Sequence, residues 1–222
     1  MKEAYIKGYM IPNEYKWAYD WFGYDSTCPK DIQAAIETLD QDEDLYVYVG
    51  SPGGSVVCGQ EIFTMLKKCN ATAFIESEAC SAASVAIMGA KKVVMSPVGL
   101  IMIHNSSAWA GSGDKNDMQK LVGMLSETDK AIASAYADKT GMSEEDLLKL
   151  MNDETWLTAK RAVELGFADE IMSGSEKLDL VAAFEQLPVT EEMIAKARAE
   201  KEKLELESVK QEVLSDLYLY GI

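Results

Sequence analysis

Short apolar runs alternate with segments of helical periodicity along the first half of this chain, and this alternation restricts the folds open to it. Val, Ile and aromatic residues crowd into runs typical of buried strands, at residues 44–50, 72–77, 91–96 and 99–105. The segment 59–69 separates the first two runs and repeats its apolar residues at the spacing of one helical face. This order of strand, turn, helix and strand predicts an α/β fold in which helices pack on a sheet.

The remaining segments predict further elements around this unit. Residues 1–24 combine Tyr and Trp with glycine and proline, which indicates a short strand or two with turns. Helical periodicity with start or stop signals occurs at 29–40, 77–90, 114–139, 141–152 and 158–166. The longest of these helices has an apolar stripe made of Met118, Leu121, Leu125, Ile132 and Tyr136.

The chain is strongly acidic. Its 222 residues include 21 lysines and arginines against 37 aspartates and glutamates, a formal charge of -16. Such a surface repels phosphate backbones and anionic lipids, so we expect no binding to nucleic acid or to a membrane. No apolar run approaches the ~20 residues needed to span a bilayer, and residues 1–17 do not resemble a signal peptide. We therefore expect a cytoplasmic protein.

Cysteine and histidine content narrows the possible chemistry. The four cysteines, Cys28, Cys58, Cys69 and Cys80, form no CxxC pair, which argues against a zinc knuckle or a thioredoxin-type site. His104 is the single histidine, so a metal site that needs two imidazoles from one chain is excluded. We expect no metal and no cofactor, and any imidazole chemistry must come from His104.

The character of the chain changes towards its C-terminus. The segment 190–217 is highly charged and has no glycine or proline, which predicts a long exposed helix. A solvated helix is the ordinary interpretation of such a segment, and a partner-binding helix is the alternative. We accordingly divide the chain into one domain at 1–187 and a charged helical extension at 188–222.

Two interpretations are open for the small-residue segment 77–90, which contains Ser81 and Ser84. Small side chains let a helix pack closely on a sheet, so these serines can be packing residues. A serine at a helix start can instead be a nucleophile, because the free N–H groups there can hold an oxyanion. A strand and a turn separate Ser84 from His104, so the chain could bring the two together. The SPGG turn at 51–54 could present further N–H groups.

Five motifs follow one another along the chain: SPGGSV, GQEIFTML, ACSAASVAIMGA, LIMIHN and ETWLTAKRAVELGFADEI. Each is weak alone, but in this order they resemble the Clp (caseinolytic) protease proteolytic subunit, a family of self-compartmentalised serine peptidases. The resemblance extends from about Leu45 to about Ile171. It is strongest to the phage and prophage branch, the Clp-related head maturation proteases.

The resemblance implies a Ser-His-acid triad. Ser84 matches the family's nucleophile in its A-A-S motif, and His104 matches the histidine of its M-I-H motif. Counting back from Trp156 places Glu154 at the family's catalytic aspartate. Asp153 is the neighbouring alternative for the acid.

The resemblance also implies an oxyanion hole made of the backbone N–H groups of Gly54 and Val85. Val85 replaces the family's usual Met, which has no consequence if only its N–H is used. Ser81 is, by the same resemblance, a packing residue. A substrate segment would enter as an added strand between the edge 54–57 and the segment 108–113.

The implied fold is the crotonase-like α/β spiral of ββα units, with 114–139 as a protruding handle helix. The resemblance implies a homo-oligomer of heptameric rings stacked in pairs that acts on protein or peptide substrates. The apolar stripe by itself indicates only self-association.

Three functions remain open. The favoured one is an ATP-independent serine endopeptidase that cleaves phage capsid or scaffold protein. The others are a degradation peptidase gated by an ATP-driven unfoldase, which would need axial loops and hydrophobic docking clefts, and a catalytically silent ring scaffold. No counterpart of the family's axial loop is evident before the first strand, which favours the first function.

Overall fold

The structure, a computed structural model, describes residues 2–40, 43–108 and 111–173. The predicted helix at 190–217 and the extension at 188–222 lie outside these residues. In the described part of the chain, no helix is long and apolar enough to cross a membrane.

Eight strands of the described residues form one sheet. They are β1 (Lys2–Met10), β2 (Ser26–Thr27), β3 (Leu45–Gly54), β4 (Ala71–Cys80), β5 (Lys92–Met95), β6 (Leu100–Ile103), β7 (Thr155–Thr158) and β8 (Glu170–Ile171). The order β2-β1-β3-β4-β5-β8 is parallel throughout. β6 pairs in parallel with the end of β4, and β7 pairs antiparallel with β6. The parallel ladder confirms the predicted α/β fold.

The helices connect these strands. They are α1 (Lys16–Phe22), α2 (Pro29–Glu37), α3 (Val56–Leu66), α4 (Ala82–Ile87), α5 (Lys115–Thr140), α6 (Glu144–Asn152) and α7 (Ala159–Glu164). The core lies between the sheet and α3, α4 and the end of α5, where Val47, Ile62 and Ile87 are fully buried. β3 and β4 both end at one edge of the sheet, so the residues that follow them meet there.

Side-chain caps mark the starts of α5 and α6. Ser143 is the N-cap of α6, and its hydroxyl accepts a hydrogen bond from the N–H of Asp146 at 3.1 Å. Asp114 caps α5 in the same way, accepting from Asn116 and Asp117. The predicted helices at 114–139 and 141–152 are therefore confirmed to within a few residues.

Three local expectations were wrong. The predicted short strands and turns at 1–24 are one long strand followed by the helix α1, which ends at Gly23 in the left-handed region with φ of 69°. The SPGG segment at 51–54 is the irregular end of β3 and not a separate turn, because its pairing with β1 and β4 continues past shifts in register. The segment 77–90 is not one helix, since its first four residues complete β4 and α4 begins only at Ala82.

Candidate active site

A strained turn joins β4 to α4, and Ser81 occupies it. Cys80 is the last residue of the strand and Ala82 the first of the helix. Ser81 has φ of 53° and ψ of -124°, a combination that a residue with a side chain rarely adopts. Such strain concentrates at functional sites, and a sharp strand-to-helix turn is the geometry that exposes a nucleophilic serine in other hydrolases.

His104 lies against this turn. It follows β6, whose parallel pairing with the end of β4 sets Cys80 beside Met102. The Ser81 N–H donates to the carbonyl oxygen of Met102 at 2.9 Å, which continues the ladder by one step. The His104 Nε2 atom is 2.7 Å from the Ser81 Oγ atom. This is the distance at which an imidazole can take the proton of a serine hydroxyl.

Ser84, the residue expected to pair with His104, lies elsewhere. It is the third residue of α4 and is completely buried. Its hydroxyl donates to the carbonyl oxygen of Ser81 at 2.6 Å and lies 2.8 Å from the hydroxyl of Tyr136. The expected Ser84–His104 pair is therefore wrong, and so is the expectation that Ser81 is only a packing residue. A residue three positions into this helix faces the core, whereas the residue at the strand end faces β6.

One of the two expected oxyanion donors is already occupied. The Val85 N–H donates to the Ser81 carbonyl at 3.3 Å, within the first turn of the helix, so it does not point at a substrate. The N–H of Ala82 occupies the first helical position, where no carbonyl of the same helix is available to it. The Val85 N–H is therefore taken up within the helix, and the Ala82 N–H is the helix-side candidate that the geometry leaves.

Gly53, the next-to-last residue of β3, lies against the same turn. A Cβ atom on Gly53 would lie 2.7 Å from the Ser81 Cβ atom and 3.0 Å from the Ala82 nitrogen. The Gly53 N–H donates to the buried hydroxyl of Ser51 at 3.1 Å, which holds this backbone in place. Gly54, the expected second donor, follows at φ of 145°. Its role in an oxyanion hole remains a prediction.

The two candidate acids lie where β7 begins. The antiparallel register pairs Ile103 with Thr155, so the next residues on these strands are His104 and Glu154. Glu154 is exposed and has a positive φ of 48°. Asp153 is the residue that ends α6 and is also exposed. Within the described residues, no hydrogen bond joins His104 to a carboxylate, and the assignment of Glu154 stays a prediction.

Burial suppresses ionisation around the turn. Desolvation, together with the charge of Glu78, raises the pKa of the Cys80 thiol to about 12. Desolvation also raises the pKa of Tyr136, which is 1% exposed, so its hydroxyl keeps its proton. Tyr136 was predicted only as part of an apolar stripe. A hydroxyl among apolar positions, facing a helix of small residues, is the signal that could have suggested its contact with Ser84.

Comparison with known proteins decides the family. The Clp protease family profile matches residues 25–175, which include Ser81, His104 and Glu154. The chain belongs to the Clp protease family. The family named from the motifs is therefore confirmed, whereas its phage and prophage branch stays a prediction.

Similarity to individual Clp protease subunits supports this membership. The chain is 32% identical over 145 residues to an ATP-dependent Clp protease proteolytic subunit of Streptococcus sanguinis, covering 63% of this chain and 74% of the relative. It is 32% identical over 142 residues to proteolytic subunit 2 of Rhodococcus jostii, covering 62% and 72%.

A solved structure shows the same fold. A point mutant of ClpP1 from Listeria monocytogenes superposes with a TM-score of 0.63 and 18% identity, covering 78% of this chain and 92% of that one. The expected Clp protease fold is confirmed by this likeness. At this level of identity the likeness concerns the fold alone.

Metal ligands do not gather near this Clp-type site. In the described residues, no group of three His, Cys, Asp or Glu side chains could hold a metal ion. The turn itself presents a hydroxyl, an imidazole and backbone N–H groups, with carboxylates nearby.

Proposed function

We propose that this chain is a serine endopeptidase in which Ser81 is the nucleophile and His104 the general base. The observation that carries the proposal is the 2.7 Å contact between Ser81 Oγ and His104 Nε2 at a strand-to-helix turn with positive φ. Membership of the Clp protease family, whose members are serine peptidases, supports the reaction class.

The reaction would proceed by acyl transfer. Ser81 Oγ attacks the peptide carbonyl carbon while its proton passes to His104 Nε2, and the imidazolium then returns that proton to the leaving amine. Water next attacks the acyl carbon and gives a proton to the same nitrogen. The bond between that carbon and Ser81 Oγ then breaks, the imidazolium returns the proton to Oγ, and the carboxylic acid product is released. Glu154 and His104 each lie one residue beyond the Ile103–Thr155 pair of β6 and β7. The Glu154 carboxylate would orient the imidazole and stabilise its charged form.

The tetrahedral intermediate needs donors for its oxyanion. The N–H groups of Ala82 and Gly54 are our candidates, because they belong to the two backbone segments that meet at Ser81. Removing one such donor from a hydrolase typically lowers turnover by about 10^2 to 10^3.

A substrate strand would lie along the end of β3. The extended part of this edge is shorter than expected, since β3 ends at Gly54 and Val56 already belongs to α3. The opposing segment 108–113 includes residues 109–110, which are outside the described part. Binding through main-chain hydrogen bonds gives affinity with modest side-chain selectivity, which suits an endopeptidase.

The biological role that we favour is the maturation of a phage capsid or scaffold protein, without ATP, in a ring assembled from copies of this chain. The resemblance of the motifs to the phage and prophage branch supports this role. An exposed loop or an already extended segment of a structural protein could enter such a site unaided.

A second function is favoured by one observation. Tyr5, Tyr48, Phe74 and Tyr46 form an aromatic ladder across β1, β3 and β4, with neighbouring ring centroids 5.3 to 5.6 Å apart. Tyr5 is 52% exposed. An aromatic surface of this kind is suited to docking a partner protein, and the named relatives are ATP-dependent. An unfoldase could therefore feed this peptidase.

Labelling with an alkyl fluorophosphonate tests the proposed chemistry. We expect one adduct per active chain, located on Ser81 by peptide mapping, and none in Ser81→Ala. An adduct on Ser84, or an unlabelled wild-type protein, would overturn the assignment, and the unlabelled protein would favour the silent scaffold.

The two biological roles separate in a second assay. The purified protein should cleave an unfolded protein substrate without ATP. Hydrolysis that appears only when a Clp ATPase and ATP are added would instead support the unfoldase-gated function.

A further inference from the structure

We propose that Tyr136 and Ser84 are positioning residues that aim the oxyanion donor beside Ser81. This inference rests on the proposed function, because it assumes that Ser81 is the nucleophile. Neither side chain touches the reacting atoms. They act through the carbonyl group of Ser81.

The direction of the hydrogen bonds follows from the number of protons. Ser84 has one hydroxyl proton, and its Oγ atom lies 2.6 Å from the Ser81 carbonyl oxygen, which can only accept. Ser84 therefore donates to Ser81. The Tyr136 hydroxyl, 2.8 Å away, must then donate to Ser84 Oγ. The chain of donors runs from Tyr136 to Ser84 to the Ser81 carbonyl.

The Ser81 carbonyl accepts three hydrogen bonds. Besides the Ser84 hydroxyl, the N–H groups of Ser84 and Val85 donate to it at 3.0 and 3.3 Å. Because the peptide unit is planar and trans, the carbonyl of Ser81 and the N–H of Ala82 point in opposite directions. Hydrogen bonds that hold the Ser81 carbonyl towards the core therefore also hold the Ala82 N–H in the opposite direction, away from the core. We take this to be the side on which the Ser81 hydroxyl reacts.

Ser81 needs this support because its backbone is strained. With φ of 53° the residue is held outside its preferred regions, and only the surrounding structure can keep it there. The Ser84 hydroxyl makes the shortest of the three hydrogen bonds to its carbonyl. Loss of that bond lets the Ser81–Ala82 peptide rotate towards a relaxed conformation and away from the oxyanion.

Burial of these two hydroxyls gives independent support. Ser84 is completely buried, and Tyr136 is 1% exposed, with its ring packed on Phe167 at a centroid distance of 5.4 Å. Polar groups are costly in a core unless they are hydrogen-bonded, and an Ala–Phe pair would fill nearly the same space. A paired Ser and Tyr here specify one orientation of the turn, which apolar packing alone cannot do.

The test compares Tyr136→Phe with Thr140→Val. Tyr136→Phe removes only the hydroxyl at the start of the donor chain. Thr140→Val removes a hydroxyl one turn further along α5, where it donates to the Tyr136 carbonyl and does not reach the turn at Ser81. We expect Tyr136→Phe to lower kcat and the rate of fluorophosphonate labelling by about tenfold, with KM and the pH profile unchanged. Thr140→Val should label at the wild-type rate.

Ser84→Ala tests the same series of hydrogen bonds at its middle member. We expect a larger fall in labelling rate, with the adduct still on Ser81. Adding Tyr136→Phe to Ser84→Ala should cause no further fall in labelling rate, since Ser84→Ala has already interrupted the series of hydrogen bonds from Tyr136 to the Ser81 carbonyl. This additional comparison detects coupling that a general loss of stability would not produce.

Three outcomes would overturn the inference. The first is that Tyr136→Phe folds and is labelled at the wild-type rate. The second is that Tyr136→Phe does not fold but Ser84→Ala is labelled at the wild-type rate. The third is that the falls in labelling rate of the two single variants add up in the double variant. An adduct on Ser84, or none in the wild-type protein, overturns the proposed function itself and is distinguished by mapping the label.

Discussion

The hydroxyl of Ser81 has a neighbour of greater intrinsic nucleophilicity, the thiol of Cys80, and the environment decides between them. A thiol reacts as its thiolate, whereas a serine hydroxyl reacts when an adjacent base removes its proton. His104 contacts the Ser81 hydroxyl, and Cys80 is 2% exposed with its sulfur beside Glu78 at 3.6 Å. Geometry and charge therefore both favour serine chemistry at this turn.

Cys80 should resist alkylation in the folded protein. Its pKa is raised to about 12, so the thiol stays protonated through neutral pH and a thiolate forms only near that value or on unfolding. Iodoacetamide at neutral pH, followed by mass spectrometry, should show Cys80 unmodified until denaturant is added. Modification of native Cys80 at the rate of a free thiol would contradict the burial that we describe.

At the scale of elements, the site is assembled by four chain segments that meet at one edge of the sheet. Ser81 directly follows β4, His104 directly follows β6, and Glu154 directly precedes β7. The end of β3 approaches the turn so closely that only glycine fits at position 53. Each contribution depends on where a strand stops.

The acid can be assigned by paired amide substitutions. Glu154→Gln should lower kcat by a factor on the order of 10^2 or more, because the charge that stabilises the imidazolium is lost while the side-chain shape is kept. Asp153→Asn should have a mild effect, since this residue ends α6 and is solvated. Steady-state peptide hydrolysis measures both, and the reverse order of effects would move the acid to Asp153.

Two glycine substitutions separate close approach from helix propensity. Gly53→Ala should destabilise the fold and abolish hydrolysis, since its Cβ would lie 2.5 Å from the Cys80 carbonyl oxygen at φ of +94°. Gly123→Ala, in α5 with nothing within 4 Å of the added Cβ, should raise the free energy of unfolding by up to about 1 kcal/mol. The unfolding temperature should therefore fall for Gly53→Ala and rise for Gly123→Ala, and only Gly53→Ala should lose peptidase activity. Full activity of Gly53→Ala would refute the close approach.

At the scale of the whole molecule, α5 is buried at one end and exposed at the other. Ile132, Ala133 and Tyr136 anchor its C-terminal half in the core. Its N-terminal half leaves Val122 and Met124 63% and 54% exposed. A helix with apolar residues on its free half is suited to contacts with other copies of the chain, as the expected handle would be.

Charge placed on this half of α5 should weaken self-association. We expect Val122→Glu combined with Met124→Glu to lower the mass measured by sedimentation velocity, because burying these carboxylates in an interface is costly. Gln119→Glu is the matched control, since it adds a charge on the same half without removing apolar surface, and circular dichroism should stay unchanged in both. An unaltered mass for the double variant would exclude these two residues from the interface.

Local patterns in the sequence were sufficient for the fold class and for most elements. Helical spacing with a cap predicted α6, and apolar runs predicted β3, β4, β5 and β6, because these signals depend on residues a few positions apart. Motif order identified the family, and the single histidine left His104 as the only imidazole.

Tertiary structure alone decided which serine faces that imidazole. Ser81 and Ser84 lie three positions apart in one segment of small residues, and local propensity does not show where strand gives way to helix. The boundary is set by pairing of Ala79 with Ser51 and of Cys80 with Met102, contacts between residues distant in the chain. That pairing keeps β4 extended up to Cys80, so the helix begins one residue after Ser81 and turns Ser84 into the core.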